Sequence, residues 1–296
     1  MPAEMTLDAV QNWLGGRFPE IVASDARLAW VDSGWDSRVL EVDGRWIFQF
    51  ARRPEIADQF RKELQLLPEL AARLPLAVPR PVFACLDDPD YICIGYRKLN
   101  GEALSDTTAK PAIAAQIGAF LDCLHRFPLD VVSQTSLLVA GPVVWRDEYL
   151  DFYRWIQANV ISRVSEPLRK RMRNLWEGFL DTEENFLFKP LLIHGDLGVE
   201  HVLVDPRSDR LVGVIDWGDA RIGDPALDFT GLLASCGAKF VSQVLESYAG
   251  PLGSRFWERM AFYRDVIPFH QMRYGLEIGN GHFFTEGLRA FESSQN

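Results

Sequence analysis

The segment from Leu191 to Phe229 places the strongest constraint on this chain. It alternates apolar runs with polar loops, a pattern that predicts short buried strands joined by loops. One apolar run ends in His194-Gly195-Asp196, and a later one ends at Asp216. Because a carboxylate at the end of a buried strand is held rigidly and stays accessible, we expect the chemistry in these two loops.

Two carboxylates in such loops suit phosphoryl transfer. One group must orient the attacking hydroxyl and accept its proton, and others must hold Mg²⁺ on the phosphates, because the transition state is stabilised mainly by position and charge. We interpret Asp196 as the orienting base, and Asp216 and His201 as the metal ligands. The alternative for both carboxylates is an ordinary solvated turn.

These loops resemble those of the aminoglycoside and macrolide phosphotransferases, antibiotic kinases that share the protein-kinase fold. That family has a His-Gly-Asp loop with Asn or His five residues after the Asp, then Ile-Asp-Trp/Phe-Gly, then Asp-Pro-x-x-Asp-Phe. The chain carries all three in order, at 194–201, 215–218 and 224–229. The likeness is closest to the aminoglycoside 2″-phosphotransferases. Asp228 in the last motif is expected to cap or brace the loop.

The resemblance implies an α+β, bilobal protein-kinase-like fold. The N-lobe, residues 1–100, would hold an antiparallel sheet plus a helix and bind the nucleotide. The larger, mainly helical C-lobe, residues 101–296, would carry the catalytic loop, the metal site and a helical acceptor-binding subdomain. A length of 296 residues agrees with two such parts. Within the N-lobe, Asp43-Gly44 between two alternating segments predicts a two-residue hairpin turn.

The same resemblance indicates where the nucleotide, GTP or ATP, would bind. The turn with Ser33 and Gly34 lies where the family has its phosphate-positioning loop, although a lone glycine is also typical of an ordinary hairpin. The segment after the next hairpin corresponds to the hinge whose backbone contacts the purine, and its candidate residues are Tyr96, Arg97 and Leu99. A bulky aromatic at Tyr96 together with His201 favours GTP, and core packing of Tyr96 is a compatible alternative.

Gln49 departs from the family pattern. Related kinases have Lys, or in some macrolide enzymes Arg, at this strand position, where it clamps the phosphates and pairs with an acidic residue that Glu63 matches here. Gln49 cannot supply that charge. Arg52 or Arg53 could replace it, because a guanidinium reaches phosphate from farther away, or both could be exposed strand-end charges. The remaining alternative is a pseudokinase that binds nucleotide without turnover.

The expected acceptor is a small-molecule antibiotic less cationic than a typical aminoglycoside. Aminoglycoside kinases carry acidic clusters on the helix that follows Asp-Pro-x-x-Asp-Phe, but residues 231–239 contain no carboxylate. Aromatic residues suit a macrolide-like or nucleoside-like acceptor, although core packing is their commoner fate. Asp147, Glu148 and Glu277 are acids that would favour an aminoglycoside instead, and a small metabolite is a further alternative. The candidate contacts are Trp145, Tyr149, Tyr274 and Glu277.

Composition limits the remaining partners and the location. A net charge of −10 argues against a nucleic-acid partner, since such proteins carry a basic face. No apolar run reaches the roughly 18 residues needed to cross a bilayer, and the N-terminal residues lack a signal pattern, so we expect a cytoplasmic protein without membrane contact. The four cysteines lack metal-ligand spacing. A monomer or weak dimer is expected.

Overall fold

The computed structural model describes residues 5–31, 34–88, 90–105, 109–132 and 135–294. The strands are β1 (Leu28–Val31), β2 (Ser37–Val42), β3 (Trp46–Ala51), β4 (Pro81–Cys85), β5 (Cys93–Arg97), β6 (Glu102–Ala103), β7 (Leu191–Ile193), β8 (Val202–Asp205), β9 (Arg210–Val214) and β10 (Arg221–Gly223). The helices are α1 (Leu7–Arg17), α2 (Ile56–Arg73), α3 (Pro111–His125), α4 (Leu129–Val132), α5 (Pro142–Asn159), α6 (Glu166–Leu180), α7 (Thr230–Leu245), α8 (Phe256–Glu277) and α9 (Gly281–Ser293). Within the described part of the chain, no helix is both long and apolar enough to span a membrane.

The chain forms two compact units that are not divided at a single point. The first unit comprises Met1–Glu102, Asp130–Leu137 and Leu203–Asp219, and the second comprises Ala103–Leu129, Leu138–Val202 and Ala220–Asn296. Strand β9 belongs to the first unit because the backbone of Ala77 pairs with it: Val214 N donates to Ala77 O at 2.9 Å. The segment that carries Asp216 therefore folds with the N-terminal part of the chain, although the sequence suggests a boundary near residue 100.

An antiparallel sheet in the order β1-β2-β3-β5-β4 forms the body of the first unit. Its β2–β3 turn has positive φ at both Asp43 (53°) and Gly44 (67°), as a two-residue turn between twisted strands requires, which confirms the hairpin prediction. Helix α2 packs on this sheet through Ile56 and Phe60, which contact Ile94 of β5. The apolar residues of α2 recur at three- and four-residue steps, so one face of the helix is buried.

Helices and a short two-stranded ribbon make up most of the second unit. Strand β7 pairs antiparallel with β10, with Ile193 opposite Arg221 and Leu191 opposite Gly223. A methyl group at Gly223 would lie 2.4 Å from the ring of Trp145, so only glycine lets α5 pack this closely on the ribbon. The ribbon ends at Ile193, directly before the His-Gly-Asp loop, and therefore sets where that loop begins.

Candidate active site

The His-Gly-Asp loop is held by the buried carboxylate of Asp228. One oxygen of this carboxylate accepts the backbone N–H of His194 at 2.9 Å, and the other accepts that of Gly195 at 2.9 Å. Gly195 has φ of 87°, a conformation that suits glycine and turns the chain toward Asp196. The Asp228 side chain is 0% exposed, so these hydrogen bonds are shielded from water. Asp228 thus braces the loop, as the sequence predicts.

His125 completes this buried network from α3. Its Nε2 lies 3.0 Å from the Asp228 carboxylate, and its Nδ1 lies 2.8 Å from the Tyr248 hydroxyl. The ring is 2% exposed, and each of its nitrogens has a partner within the network. His125 is therefore a structural residue that fixes Asp228.

Asp196 itself points to solvent. Its side chain is 61% exposed, whereas that of His201, five residues later, is only 14% exposed. Nδ1 of His201 lies 2.6 Å from the backbone oxygen of Asp196. When the imidazole is neutral, donation from Nδ1 to this carbonyl leaves the lone pair on Nε2, the form in which histidine binds a metal. The second unit therefore presents an accessible carboxylate beside an oriented imidazole.

Gly231 at the start of α7 also supports the loop, although the sequence patterns did not indicate it. A methyl group there would lie 2.5 Å from the backbone oxygen of Leu197 and 2.8 Å from Cα of Gly198. Helix α7 therefore contacts the loop backbone directly. A glycine two residues after an Asp-Phe pair is the signal that could have indicated this contact.

Asp216 lies in the first unit, on a loop with an unusual backbone. Its φ is 65°, in the left-handed region that non-glycine residues adopt rarely and at a cost. The next side chain, Trp217, is 0% exposed and its indole N–H donates to Val214 O at 3.0 Å. Lys62 of α2 donates from Nζ to the backbone oxygen of Gly218. Contacts on both sides of Asp216 thus hold the conformation that exposes its carboxylate.

Glu63 and Gln49 both belong to the first unit, and the polar ends of their side chains are buried. Glu63 is 5% exposed. Burial, together with the charge of Asp216, raises the pKa of Glu63 from 4.5 to about 8. The side-chain oxygen of Gln49 is buried, and none of the described residues donates a hydrogen bond to it. Glu63 is therefore largely protonated at neutral pH.

The two arginines after β3 contact the turn that precedes β2. Arg52 donates from Nε to Gly34 O at 3.3 Å, and Arg53 forms an ion pair with Asp36. Both arginines therefore have partners beside the turn that is predicted to position phosphate, and neither is simply an exposed charge at the end of a strand. Ser33, the other candidate in this turn, lies outside the described residues.

The hinge candidates differ in their surroundings. Tyr96 is 6% exposed, and burial raises the pKa of its hydroxyl above the usual range, so it is a core residue of the sheet. Arg97 is exposed, with its guanidinium 4.8 Å from the centroid of the Trp46 ring. Leu99 lines a cavity of about 480 Å³ in the first unit together with Ala77 and Val212.

Trp145, one of the predicted acceptor contacts, is a core residue, and the predicted contacts Tyr149 and Tyr274 are partly buried. Trp145 of α5 is 1% exposed and donates its indole N–H to the Tyr263 hydroxyl at 2.9 Å, so it packs in the core because helix α8 and strand β10 cover its ring. Tyr149 stacks on Tyr263 at 5.4 Å and is only partly exposed. Tyr274 is half-buried against Phe283.

The acids near these aromatics are already paired with arginines. Glu277 is bonded to Arg273 at 2.7 Å on the surface of α8. Glu148 receives two hydrogen bonds from Arg221, at 2.7 and 2.8 Å. Each pair neutralises a carboxylate that would otherwise attract a cationic acceptor.

The residues present fit a magnesium ion only if the substrate completes its shell. Among the described side chains, no three of His, Cys, Asp and Glu are grouped so that they could hold a metal by themselves. Mg²⁺ is commonly bound by one or two carboxylates, with phosphate oxygens and waters in the remaining positions. In the first unit, the exposed carboxylate of Asp216 is a ligand of that kind, and in the second unit the imidazole of His201 is oriented with Nδ1 on a backbone oxygen.

A kinase-like fold with a braced His-Gly-Asp loop and a second acidic loop defines the class of phosphotransferase enzymes. The chain belongs to the phosphotransferase enzyme family APH, whose model matches residues 28–263. This confirms the family resemblance, the fold class and the prediction of a phosphotransferase.

Individual relatives agree with this assignment over most of the chain. Viomycin phosphotransferase of Streptomyces vinaceus is 25% identical over 252 residues, which cover 82% of this chain and 85% of that protein. The GDP and kanamycin complex of APH(2")-IIia superposes with a TM-score of 0.87 at 25% identity, covering 96% and 97% of the two chains. A macrolide 2'-phosphotransferase type I has a TM-score of 0.78 at 24% identity, covering 97% of each chain, and supports the fold.

Proposed function

We propose that this protein is a Mg²⁺-dependent O-phosphotransferase that moves the γ-phosphate of a nucleoside triphosphate to a hydroxyl of an antibiotic and so confers resistance. The observation that carries the proposal is the geometry around Asp196. Its carboxylate is exposed at the tip of a loop whose backbone is bonded to the buried Asp228, and His201 is oriented on its own carbonyl. The names of the viomycin and kanamycin relatives support an antibiotic as acceptor.

Each loop residue has a distinct role in the proposed reaction. Asp196 accepts a hydrogen bond from the acceptor hydroxyl, orients its oxygen and takes its proton as the phosphoryl group is transferred. Asp216 and His201 are the residues that would hold the metal, which would supply positive charge to the phosphates. The hydrogen bonds from His194 and Gly195 to Asp228 keep the base in place, so little reorganisation is needed at the moment of transfer.

GTP is the favoured donor in this proposal, and ATP is the alternative. The buried aromatic Tyr96 at the predicted gate position and the imidazole of His201 favour GTP by their resemblance to the 2″-phosphotransferases. The GDP complex of one of these, at 25% identity, supports the same preference. These nucleotides are abundant in the cytoplasm, where we propose that the protein acts, as a monomer or weak dimer.

The acceptor we propose is less cationic than a typical aminoglycoside. Residues 231–239 of α7 offer no carboxylate, and Glu148 and Glu277 are paired with arginines. A polycation gains affinity and orientation mainly from unpaired acids, and Asp147 is the remaining acid of the three weighed from the sequence. The kanamycin complex of the similar structure favours an aminoglycoside, which is the first alternative, and a small metabolite is the second.

Gln49 also favours one function of a different class, because it supplies no cation at the strand position where related kinases have Lys or Arg. If no other cation contacted the phosphates, the protein would bind nucleotide without turning it over, as a pseudokinase does. The phosphotransferase and the pseudokinase interpretations both predict nucleotide binding. They differ in whether a phosphorylated product forms.

The test is an acceptor panel that spans macrolides, nucleoside antibiotics, peptide antibiotics, aminoglycosides and small metabolites, each with GTP and with ATP. We expect one class to gain the mass of a single phosphoryl group. Asp196→Ala should remove the product while GDP binding stays unchanged, and Asp151→Ala, an exposed carboxylate on α5, serves as the matched control. Nucleotide binding without product across the panel would favour the pseudokinase.

A further inference from the structure

Helix α2 is connected to the Asp216 loop by two side chains on one face. Lys62 donates from Nζ to Gly218 O, and the amide of Gln59 packs on the same residue. A methyl group at Gly218 would lie 1.8 Å from Nε2 of Gln59, so the absence of a side chain there lets the helix approach. Gln59 and Lys62 are three residues apart and therefore point to the same side of α2.

The loop needs such support because its backbone is strained. Asp216 has φ of 65°, which an aspartate adopts only when its surroundings favour this conformation over the unstrained alternatives. The buried indole N–H of Trp217 donates to Val214 O at 3.0 Å, so this hydrogen bond spans Asp216. Lys62 of α2 donates to Gly218 O, two residues beyond Asp216. Asp216 is thus held by one contact within the loop and by one contact with α2.

Charge favours the same arrangement. Lys62 and Asp216 both act electrostatically on Glu63, which is buried on α2, and so does Asp219 at the end of the loop. Lys62 is half-buried, on a helix that is otherwise anchored to the sheet through Ile56 and Phe60. Its positive charge acts on Glu63 in the opposite sense to the charges of Asp216 and Asp219.

We propose that Lys62 is a positioning residue that holds the Asp216 loop in its metal-binding conformation by coupling it to α2 through the carbonyl of Gly218. This inference rests on the proposed function for its catalytic consequence, but not for its structural one. Lys62 acts through the loop and has no proposed contact with substrate.

The structural consequence is testable without metal or nucleotide. Hydrogen exchange of the backbone amides 216–219 in the metal-free protein reports how often the loop opens. Loss of one hydrogen bond with a charged donor in Lys62→Met should speed this exchange by about tenfold. Lys62→Arg keeps a donor and should restore most of the protection. Lys170→Met, at an exposed lysine of α6, is the matched control and should leave the segment unchanged.

Kinetics test the catalytic consequence. In Lys62→Met the Mg²⁺ concentration for half-maximal rate should rise and kcat should fall, each by about tenfold, while KM for the acceptor stays within twofold of wild type. If Lys62→Met does not fold, Lys62→Gln is used for the same comparison. Exchange at 216–219 that matches the Lys170→Met control would overturn the proposal. Absence of turnover in the wild type would instead overturn the proposed function, and the exchange result would still decide the role of Lys62.

Discussion

His125 and Asp228 form a buried pair, with 3.0 Å between Nε2 and the carboxylate and neither side chain exposed to solvent. The same carboxylate binds the backbone of the His-Gly-Asp loop. A residue on α3 is thereby connected to the position of Asp196 through a single bridging carboxylate. The position of Asp196, the proposed base, therefore depends on a buried hydrogen-bond network.

Asp228→Asn should impair both folding and catalysis. The amide keeps one acceptor oxygen and places an NH₂ group against a backbone N–H, so we expect a loss of about 2 to 4 kcal/mol in unfolding free energy. We also expect kcat to fall more than acceptor affinity, because the loop is displaced. Urea unfolding and steady-state kinetics measure the two effects. Asp151→Asn should change stability by less than about 0.5 kcal/mol, and equal effects in both variants would contradict the bracing role.

Two substitutions at Asp216 distinguish the effect of its charge from the effect of its backbone conformation. Asp216→Asn should keep stability within about 0.5 kcal/mol, because asparagine tolerates positive φ, yet lower turnover about a thousandfold if the carboxylate is the proposed metal ligand. Asp216→Val should in addition cost about 1 to 3 kcal/mol, since a β-branched residue is strained in that conformation. Thermal unfolding in the absence of metal distinguishes the two variants. Equal melting temperatures for Asn and Val would argue against a strained residue 216.

His201 should influence which metal supports the reaction. An imidazole nitrogen suits Mn²⁺ better than Mg²⁺, whereas an amide oxygen suits Mg²⁺. His201→Asn should therefore lower the ratio of the rate with Mn²⁺ to the rate with Mg²⁺ by about threefold or more. The measurement is initial rate against the concentration of each ion at saturating nucleotide. An unchanged ratio would mean that residue 201 does not ligate the metal.

Glu63 should make stability fall as pH rises. Its pKa is raised from 4.5 to about 8 in the folded protein, so the folded state binds a proton more tightly than the unfolded chain does. The unfolding free energy is then highest at low pH as far as this group is concerned, and decreases between pH 4.5 and about 8. The loss is on the order of 4 kcal/mol. Glu63→Gln should abolish this decrease in metal-free urea unfolding, and Glu69→Gln, on the exposed face of α2, should retain it.

Gln49→Lys tests whether a cation on β3 is missing. By the family resemblance, the new ammonium would pair with Glu63 and contact the phosphates, so we expect the pKa of Glu63 to fall and kcat/KM for the nucleotide to rise about tenfold. Gln49→Leu provides a neutral control. A rate that does not rise would show that another cation already contacts the phosphates. The pH dependence of unfolding would still report whether the pair with Glu63 has formed.

Local sequence patterns predicted much of the fold. Asp43-Gly44 forms the hairpin turn that its residue types favour, and Thr6 accepts the N–H of Ala9 at 3.3 Å as the cap of α1. The order of the three motifs was enough to identify the family and to single out Asp196 and Asp216. These features depend on neighbours within a few residues, or on motif spacing, and both can be read directly from a sequence.

Other features depended on packing between distant segments. The same aromatic stripe of α5 supplies Trp145 to the core and leaves Tyr149 partly exposed, because helix α8 and strand β10 cover Trp145 almost completely. Periodicity shows that α5 has an apolar face but not which helix covers it. The burial of Trp145 could therefore not be predicted from the sequence pattern alone.

The sequence by itself determined the reaction chemistry, because the groups that transfer a phosphoryl group must be particular residue types in a particular order. Only the tertiary structure decided how these groups are held. Asp228 meets His194 across 34 positions, and Lys62 meets Gly218 across 156. Hydrogen bonds and burial act through space, and their partners are known only when the chain has folded.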